Sequence, residues 1–205
     1  MTKVKICGIT NVEDAKLAVE SGADALGFIF YEKSKRSVDK ETAREIISAL
    51  PPFVAKVGVF VDEDEDVVRQ IQAYCGLTCL QFHGSETKEY CGMFNNVIKA
   101  FRVKDRSSLD AVREYEPYVS AIHLDNFKLD VAGGTGEVFD WNALRGFSSR
   151  KPIILSGGIT EANVAEAIGI VKPYAIDSAS GTEKEPGRKD HAKMKRLINL
   201  VKRVN

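Results

Sequence analysis

Apolar and polar positions follow one another along the chain in a repeating order. Eight short runs rich in Val, Ile, Leu and Phe recur from end to end: VKICG (4–8), DALGFIF (24–30), VAKVGVF (54–60), CLQFHG (79–84), VIKAF (97–101), VSAIHLD (119–125), PIILSGG (152–158) and YAIDSASG (174–181). Runs this short and this continuously apolar suit strands buried on both faces of a parallel sheet. Between most of them lie polar stretches with helical spacing. NVEDAKLAVES (11–21) opens on Asn11, a good N-cap, sets Val12, Ala15 and Val19 on one face, and stops before Gly22. DKETAREIISAL (39–50) opens on acidic residues and closes at Pro51-Pro52, which cannot continue a helix. DEDEDVVRQIQAYCG (62–76) crowds carboxylates into its first turn, where the helix dipole favours them, so a solvated helix start is preferred over an acidic binding patch. TEANVAEAIGIV (160–171) and DHAKMKRLINLVKRV (190–204) complete the series.

Strands alternating with helices imply right-handed βαβ units and a parallel sheet. Eight such units predict an α/β protein of one closed (β/α)8, or TIM, barrel spanning residues 1–205, since a chain of 205 residues fits one domain and carries no linker or low-complexity segment. A doubly wound sheet is disfavoured: no dinucleotide or Walker fingerprint follows the first strand, and the nearest glycine cluster, GGTG (133–136), sits far from that place. In barrels of this kind chemistry gathers at the C-terminal strand ends. Those ends carry Cys7, Phe30-Tyr31, Phe60, His83, Phe101-Arg102, Asp125, Ser156 with Gly157-Gly158, and Asp177 through Gly181.

Composition narrows the partners. Lys plus Arg and Asp plus Glu are equal at 29 each, so no net field recruits nucleic acid or a membrane. The opening MTKVKICGIT lacks the apolar run of a signal peptide, which points to a reducing, cytoplasmic setting. Cys7, Cys75, Cys79 and Cys91 are then expected as thiols. A four-cysteine zinc site is the sharper alternative, but no C-x-x-C pair supports it, so no metal is expected.

The last two strand ends, LSGGIT and DSASGTEKEPG, offer closely spaced glycines whose backbone N–H groups could meet an anion, where barrels often hold phosphate between their last two loops and a short helix. Gly157, Gly158, Ser180 and Gly181 suit that role, and tight turning is the plainer use of such glycines. Cys7 and Asp125 could be, respectively, inert packing and a turn cap. Coming from strands one and six, however, they face each other across the barrel mouth, as an acid and a base for proton shuttling in a small phosphorylated substrate would. Lys5 shares a strand face with Cys7, about 7 Å away. Held by Asp177 on the adjoining strand, it could favour the thiolate, or serve only as a structural ion pair. Arg36, in the loop YEKSKRSV, has a planar fork that would match a substrate carboxylate if the loop folds over the mouth. His83 could orient the substrate or fill a polar layer. The glycine-rich stretch 126–139 has the composition of a lid.

Taken in order, KICGIT, GFIFYEKSKR, VGVF, QFHG, LDN…GGTG…FDW, LSGGIT…NV and DSASG…PGRKDH resemble the motifs of the phosphoribosylanthranilate isomerase family of tryptophan biosynthesis, and the resemblance covers essentially the whole chain. It implies a cofactor-free Amadori rearrangement of N-(5-phosphoribosyl)anthranilate to 1-(2-carboxyphenylamino)-1-deoxyribulose 5-phosphate. It implies Asp125 as general acid, Cys7 as general base, Arg36 at the anthranilate carboxylate, the SGG and SASG loops at the phosphate, and Asp177 at the sugar. Asn126 stands where Thr or Ser is common after the acid. Ala179 stands where the phosphate loop often has Ser or Asn, which leaves the backbone donors of Ser180 and Gly181. Two rivals are a bifunctional isomerase that also accepts a histidine-pathway aminoaldose, which would favour paired aspartates over Cys7, and a non-catalytic phosphate-binding barrel.

Overall fold

Each apolar run becomes a strand. The computed structural model describes residues 1–126 and 141–204. Its strands β1 (Lys3–Cys7), β2 (Ala25–Ile29), β3 (Ala55–Phe60), β4 (Cys79–Phe82), β5 (Val97–Val103), β6 (Ala121–Asn126), β7 (Ile153–Leu155) and β8 (Ala175–Ser178) form a closed parallel barrel in sequence order. β8 returns to pair with β1, placing Lys5 opposite Asp177. The stretch 126–139 read above as a lid lies, from residue 127 onward, outside the described residues, and so does GGTG.

Four of the longer helices begin at side-chain caps, of which only Asn11 is named from the sequence. Asp62, Glu63 and Asp64 of the acidic run precede the first turn expected to hold them, since that helix starts at Glu65. Asn11 accepts from the Asp14 N–H ahead of α1 (Val12–Glu20), Asp39 from Thr42 ahead of α2 (Lys40–Ser48), Asp64 from Asp66 ahead of α3 (Glu65–Cys75), and Asp190 from Ala192 and Lys193 ahead of the C-terminal helix. α3 stops on Gly76 in the left-handed region, φ 70°. Two short helices, α4 (Lys88–Gly92) and α5 (Val112–Tyr115), stand where no helical period was read. α6 (Val164–Val171) starts later than the apolar spacing suggested, because Asn163 turns back: its Oδ1 accepts from the Thr160 N–H and its Nδ2 donates to the Gly158 carbonyl. After β8 an unforeseen antiparallel hairpin, β9 (Glu183–Glu185) with β10 (Arg188–Lys189), precedes α7 (His191–Arg203).

Strand parity decides where the site lies. Val4, Ile6, Leu26, Phe28, Leu80, Phe82, Ile122 and Leu124 are fully buried in the layer between strands and helices. Val57, Ile98, Ala121, Ile154 and Ala175 form a separate apolar cluster that floors the barrel. Inward positions closer to the C-terminal ends switch to polar: Lys5, Gln81, His123 and Asp177 are all buried. One inward step further, two residues along each strand, stand Cys7, His83 and Asp125. Among the described residues, no helix is long and apolar enough to cross a membrane.

Candidate active site

A cavity of about 350 Å³ opens at the C-terminal mouth of the barrel. Its wall contains all nine residues selected from the sequence: Cys7, Arg36, His83, Asp125, Gly157, Gly158, Asp177, Ser180 and Gly181. Gln81, Arg102 and His123 line it as well. Sequence reasoning had assigned no role to Gln81 or His123. Their signal was available, as polar residues at the inward parity of otherwise apolar strands.

Cys7 lies against Gly27 of β2. A Cβ added to Gly27 would fall 2.6 Å from Cys7 Sγ and 3.1 Å from Lys5 Cε, so only glycine leaves room for both side chains. Lys5 Nζ donates to Asp177 Oδ2 at 2.6 Å and to Gln81 Oε1 at 2.9 Å, and it reaches the Cys7 thiol too. This is the Lys5–Asp177 contact the register suggested, with Lys5 2% exposed and Asp177 5%. Burial pushes the Cys7 thiol up, against the lowering pull of the Lys5 and Lys189 ammonium groups. Lys5 thus favours the thiolate, as its place on the strand suggests, while desolvation remains the larger effect. Burial would also lift the Asp177 carboxyl, yet Lys5 and His123 hold it well below the usual carboxylate range. Lys5→Met is expected to raise the Cys7 thiol further, read from the pH dependence of its alkylation rate. It should also destabilise the fold by about 3–5 kcal/mol, because Asp177 is left as an uncompensated buried charge.

Asp125, on β6, presents a carboxyl 30% exposed to the cavity, with Oδ2 3.3 Å from His83 Nε2. Burial opposes its ionisation, but the hydrogen bond from His83, the nearby His123 and the Ser156 hydroxyl together bring it down from 3.8 to about 2. Burial keeps His123 below its ordinary value despite its bond to Asp177 Oδ2 at 2.9 Å.

The two glycine loops clasp one another. Gly157 and Gly158 take φ of 88° and 76°, consecutive residues in the left-handed region that favours glycine. At Gly181, in a short 3₁₀ helix spanning Ser180–Thr182, an added Cβ would lie 1.9 Å from the Ile159 carbonyl oxygen. Ser178 Oγ donates to that same oxygen at 2.9 Å. The loops after β7 and β8 are thus fixed edge to edge in the cavity wall.

Arg36 does not stand alone at the mouth. Its Nε and Nη2 fork onto Glu183, at 2.7–3.0 Å. Glu183 also accepts from Lys189 Nζ at 3.1 Å, and Lys189 donates in addition to the Cys7 carbonyl at 2.7 Å and the Ala179 carbonyl at 3.1 Å. Two cations against one anion leave this cluster one net positive charge. Arg36 also explains the glycine after the cysteine: Gly8 has φ +75°, and a Cβ there would meet Arg36 Cδ at 2.8 Å.

Cys7, Cys75, Cys79 and Cys91 are free thiols, and among the described residues no group of His, Cys, Asp or Glu is arranged to hold a metal ion. A family model for N-(5'phosphoribosyl)anthranilate (PRA) isomerase matches residues 4–200. The chain belongs to the PRA isomerase family. The PRA isomerase of Geotalea uraniireducens is 51% identical over 203 residues, covering 98% of this chain and 99% of that protein. That of Pseudomonas fluorescens is 50% identical over 200 residues, covering 97% of each. Among solved structures, PRA isomerase of Thermotoga maritima superposes with a TM-score of 0.92 at 42% identity, covering 98% of this chain and 99% of that one. A second PRA isomerase structure, at TM-score 0.89 and 42% identity with the same coverage, holds reduced 1-(o-carboxyphenylamino)-1-deoxyribulose 5-phosphate. A third, at TM-score 0.88 and 40% identity, is of monomers made from the dimeric T. maritima PRA isomerase; it covers 98% of this chain and 99% of that one.

Proposed function

We propose that this chain catalyses the family reaction, the Amadori rearrangement of N-(5-phosphoribosyl)anthranilate to 1-(2-carboxyphenylamino)-1-deoxyribulose 5-phosphate. The observation that carries the reading is the placing of a thiol, a carboxyl group and two clasped glycine loops around one cavity. Asp125 gives its proton to the furanose ring oxygen as the C1–O bond breaks, and the anthranilate nitrogen becomes an iminium. Cys7, as thiolate, then takes the proton from C2. The C–H electron pair moves into the C1–C2 bond, and the iminium electrons return to nitrogen. The resulting enolamine tautomerises to the C2 ketone as C1 gains a proton. The amides of Gly157, Gly158, Ser180 and Gly181 hold the phosphate, the net positive Arg36–Glu183–Lys189 cluster faces the anthranilate carboxylate, and Asp177 and His83 position the sugar.

The free site stores charge the wrong way round for this chemistry, with the proton favoured on sulfur and the negative charge on Asp125. Substrate entry corrects part of this, because its two anionic groups raise the cost of a carboxylate in the same cavity. Lys5 and Lys189 meanwhile ease formation of the thiolate.

The direct test is the fluorescence of phosphoribosylanthranilate. Adding the protein should abolish the signal, and undiminished fluorescence with demonstrated binding would make this a phosphate-binding module instead. Arg36→Met is expected to raise KM at least tenfold with kcat nearly unchanged, if the carboxylate contact is equal in ground and transition states; steady-state kinetics at varied substrate separates the two constants. We place the activity in the cytoplasm, without nucleic acid or membrane partners, in a monomer or homodimer that sedimentation distinguishes.

A further inference from the structure

Gln81 on β4 is buried, 1% exposed, between two groups that dictate its orientation. The Lys5 ammonium carries donors only, so the Gln81 atom 2.9 Å from it is the carbonyl Oε1. The amide nitrogen is thereby turned to His83 Nδ1, 3.1 Å away. An amide nitrogen also only donates, so Nδ1 must accept and carries no hydrogen. The hydrogen of the neutral ring then sits on Nε2, 3.3 Å from Asp125 Oδ2. We infer that Gln81 is a positioning residue: polarised by Lys5, its amide keeps the His83 ring neutral with the proton on Nε2, so that Asp125 faces a hydrogen-bond donor and not a second exchangeable acid.

The inference gives Gln81 a task that a space-filling residue would not have. A neighbouring carboxylate ordinarily draws a histidine toward the imidazolium form. Here a proton on Nδ1 would point at the Gln81 N–H₂ and lose a hydrogen bond in a buried place. Turning the amide over offers no escape, since it would set the N–H₂ against the Lys5 ammonium, itself fixed by Asp177 at 2.6 Å. The other groups around His83 do not replace this control. The His123 ring lies 5.4 Å away on β6 with its Nε2 on Asp177, and Arg102 on β5 stands opposite Asp125 in register. The mechanistic consequence rests on Asp125 being the acid proposed above. With His83 neutral, Asp125 is the group of this pair left to deliver the proton for ring opening once substrate entry has favoured its protonation, and Lys5 beside Cys7 is joined to Asp125 by one chain of oriented hydrogen bonds.

The experiment is ¹⁵N-histidine NMR on the whole protein without substrate, with the His83 signals identified by their loss in His83→Gln. Wild type should show a neutral His83 ring protonated on Nε2 at pH 7. Gln81→Glu supplies an acceptor to Nδ1 and should convert the ring to imidazolium at that pH. Gln81→Met, close in volume and unable to hydrogen-bond in the same way, should let the ring protonate at higher pH than in wild type. In that variant kcat should fall about tenfold with KM within about twofold, because the reacting groups change and the binding groups do not. An imidazolium or an Nδ1-protonated ring in wild type at pH 7 overturns the inference, as does identical His83 titration in wild type and Gln81→Met. Since the spectra need no substrate, absent isomerase activity would remove the functional reading alone, and an unresponsive ring would remove this one alone.

Discussion

Cys7→Ser is expected to lower kcat by about 10² or more, with substrate affinity changed little. A hydroxyl has the shape of the thiol, but it ionises so reluctantly that Lys5 and Lys189, which already fail to outweigh burial for the thiol, cannot make an alkoxide available. Positioned proton-transfer groups typically contribute 10²–10⁴-fold, and removal of C2–H has no substitute base of the right geometry on β1. Affinity is expected to survive because the phosphate and carboxylate contacts come from the β7 and β8 loops and the Arg36 cluster. Single-turnover loss of phosphoribosylanthranilate fluorescence, beside a binding titration with a reduced product analogue, separates the two effects. Full activity in the serine variant would strip Cys7 of its role.

Asp125→Asn should cost a similar factor in kcat for the opposite reason. The amide keeps the volume and can still meet His83 Nε2–H through its oxygen, yet it holds no acidic proton to give the ring oxygen. Its effect on stability has a definite sign. The folded carboxyl ionises at about 2 against an ordinary 3.8, so its contribution is fully present above about pH 4 and is lost as pH falls toward 2. The Asn variant lacks that contribution. The gap between its denaturation midpoint and that of wild type should therefore close between pH 4 and pH 2, measured by circular dichroism in urea. A gap that stays constant over that range would show that Asp125 is not held ionised by its surroundings.

The features readable in the sequence were those set by near neighbours along the chain. Continuous apolar runs such as VAKVGVF mark strands buried on both faces, and Asn11 satisfies an amide only three residues away. The strand-end residues could be listed because alternation carries inward parity from Lys5 to Cys7. What stayed hidden depended on distant partners. Glu183, 147 residues from Arg36, occupies two nitrogens of the guanidinium expected to hold a carboxylate, and Lys189 joins it from a hairpin with no apolar signature. The helices α4 and α5 were missed because elements of five and four residues are too short to display a period. The lowering pull of Lys5 on the Cys7 thiol can be counted from residue types, whereas the burial that opposes it cannot.

The contact between Gly181 and the Ile159 oxygen has a consequence for altering substrate choice. Randomising position 181 to accommodate a bulkier anionic tail would be filtered by main-chain collision before any new contact could be selected. Ala179 and Ser180 are the positions in that segment where diversity can enter, and a productive library would leave the clasped pair untouched.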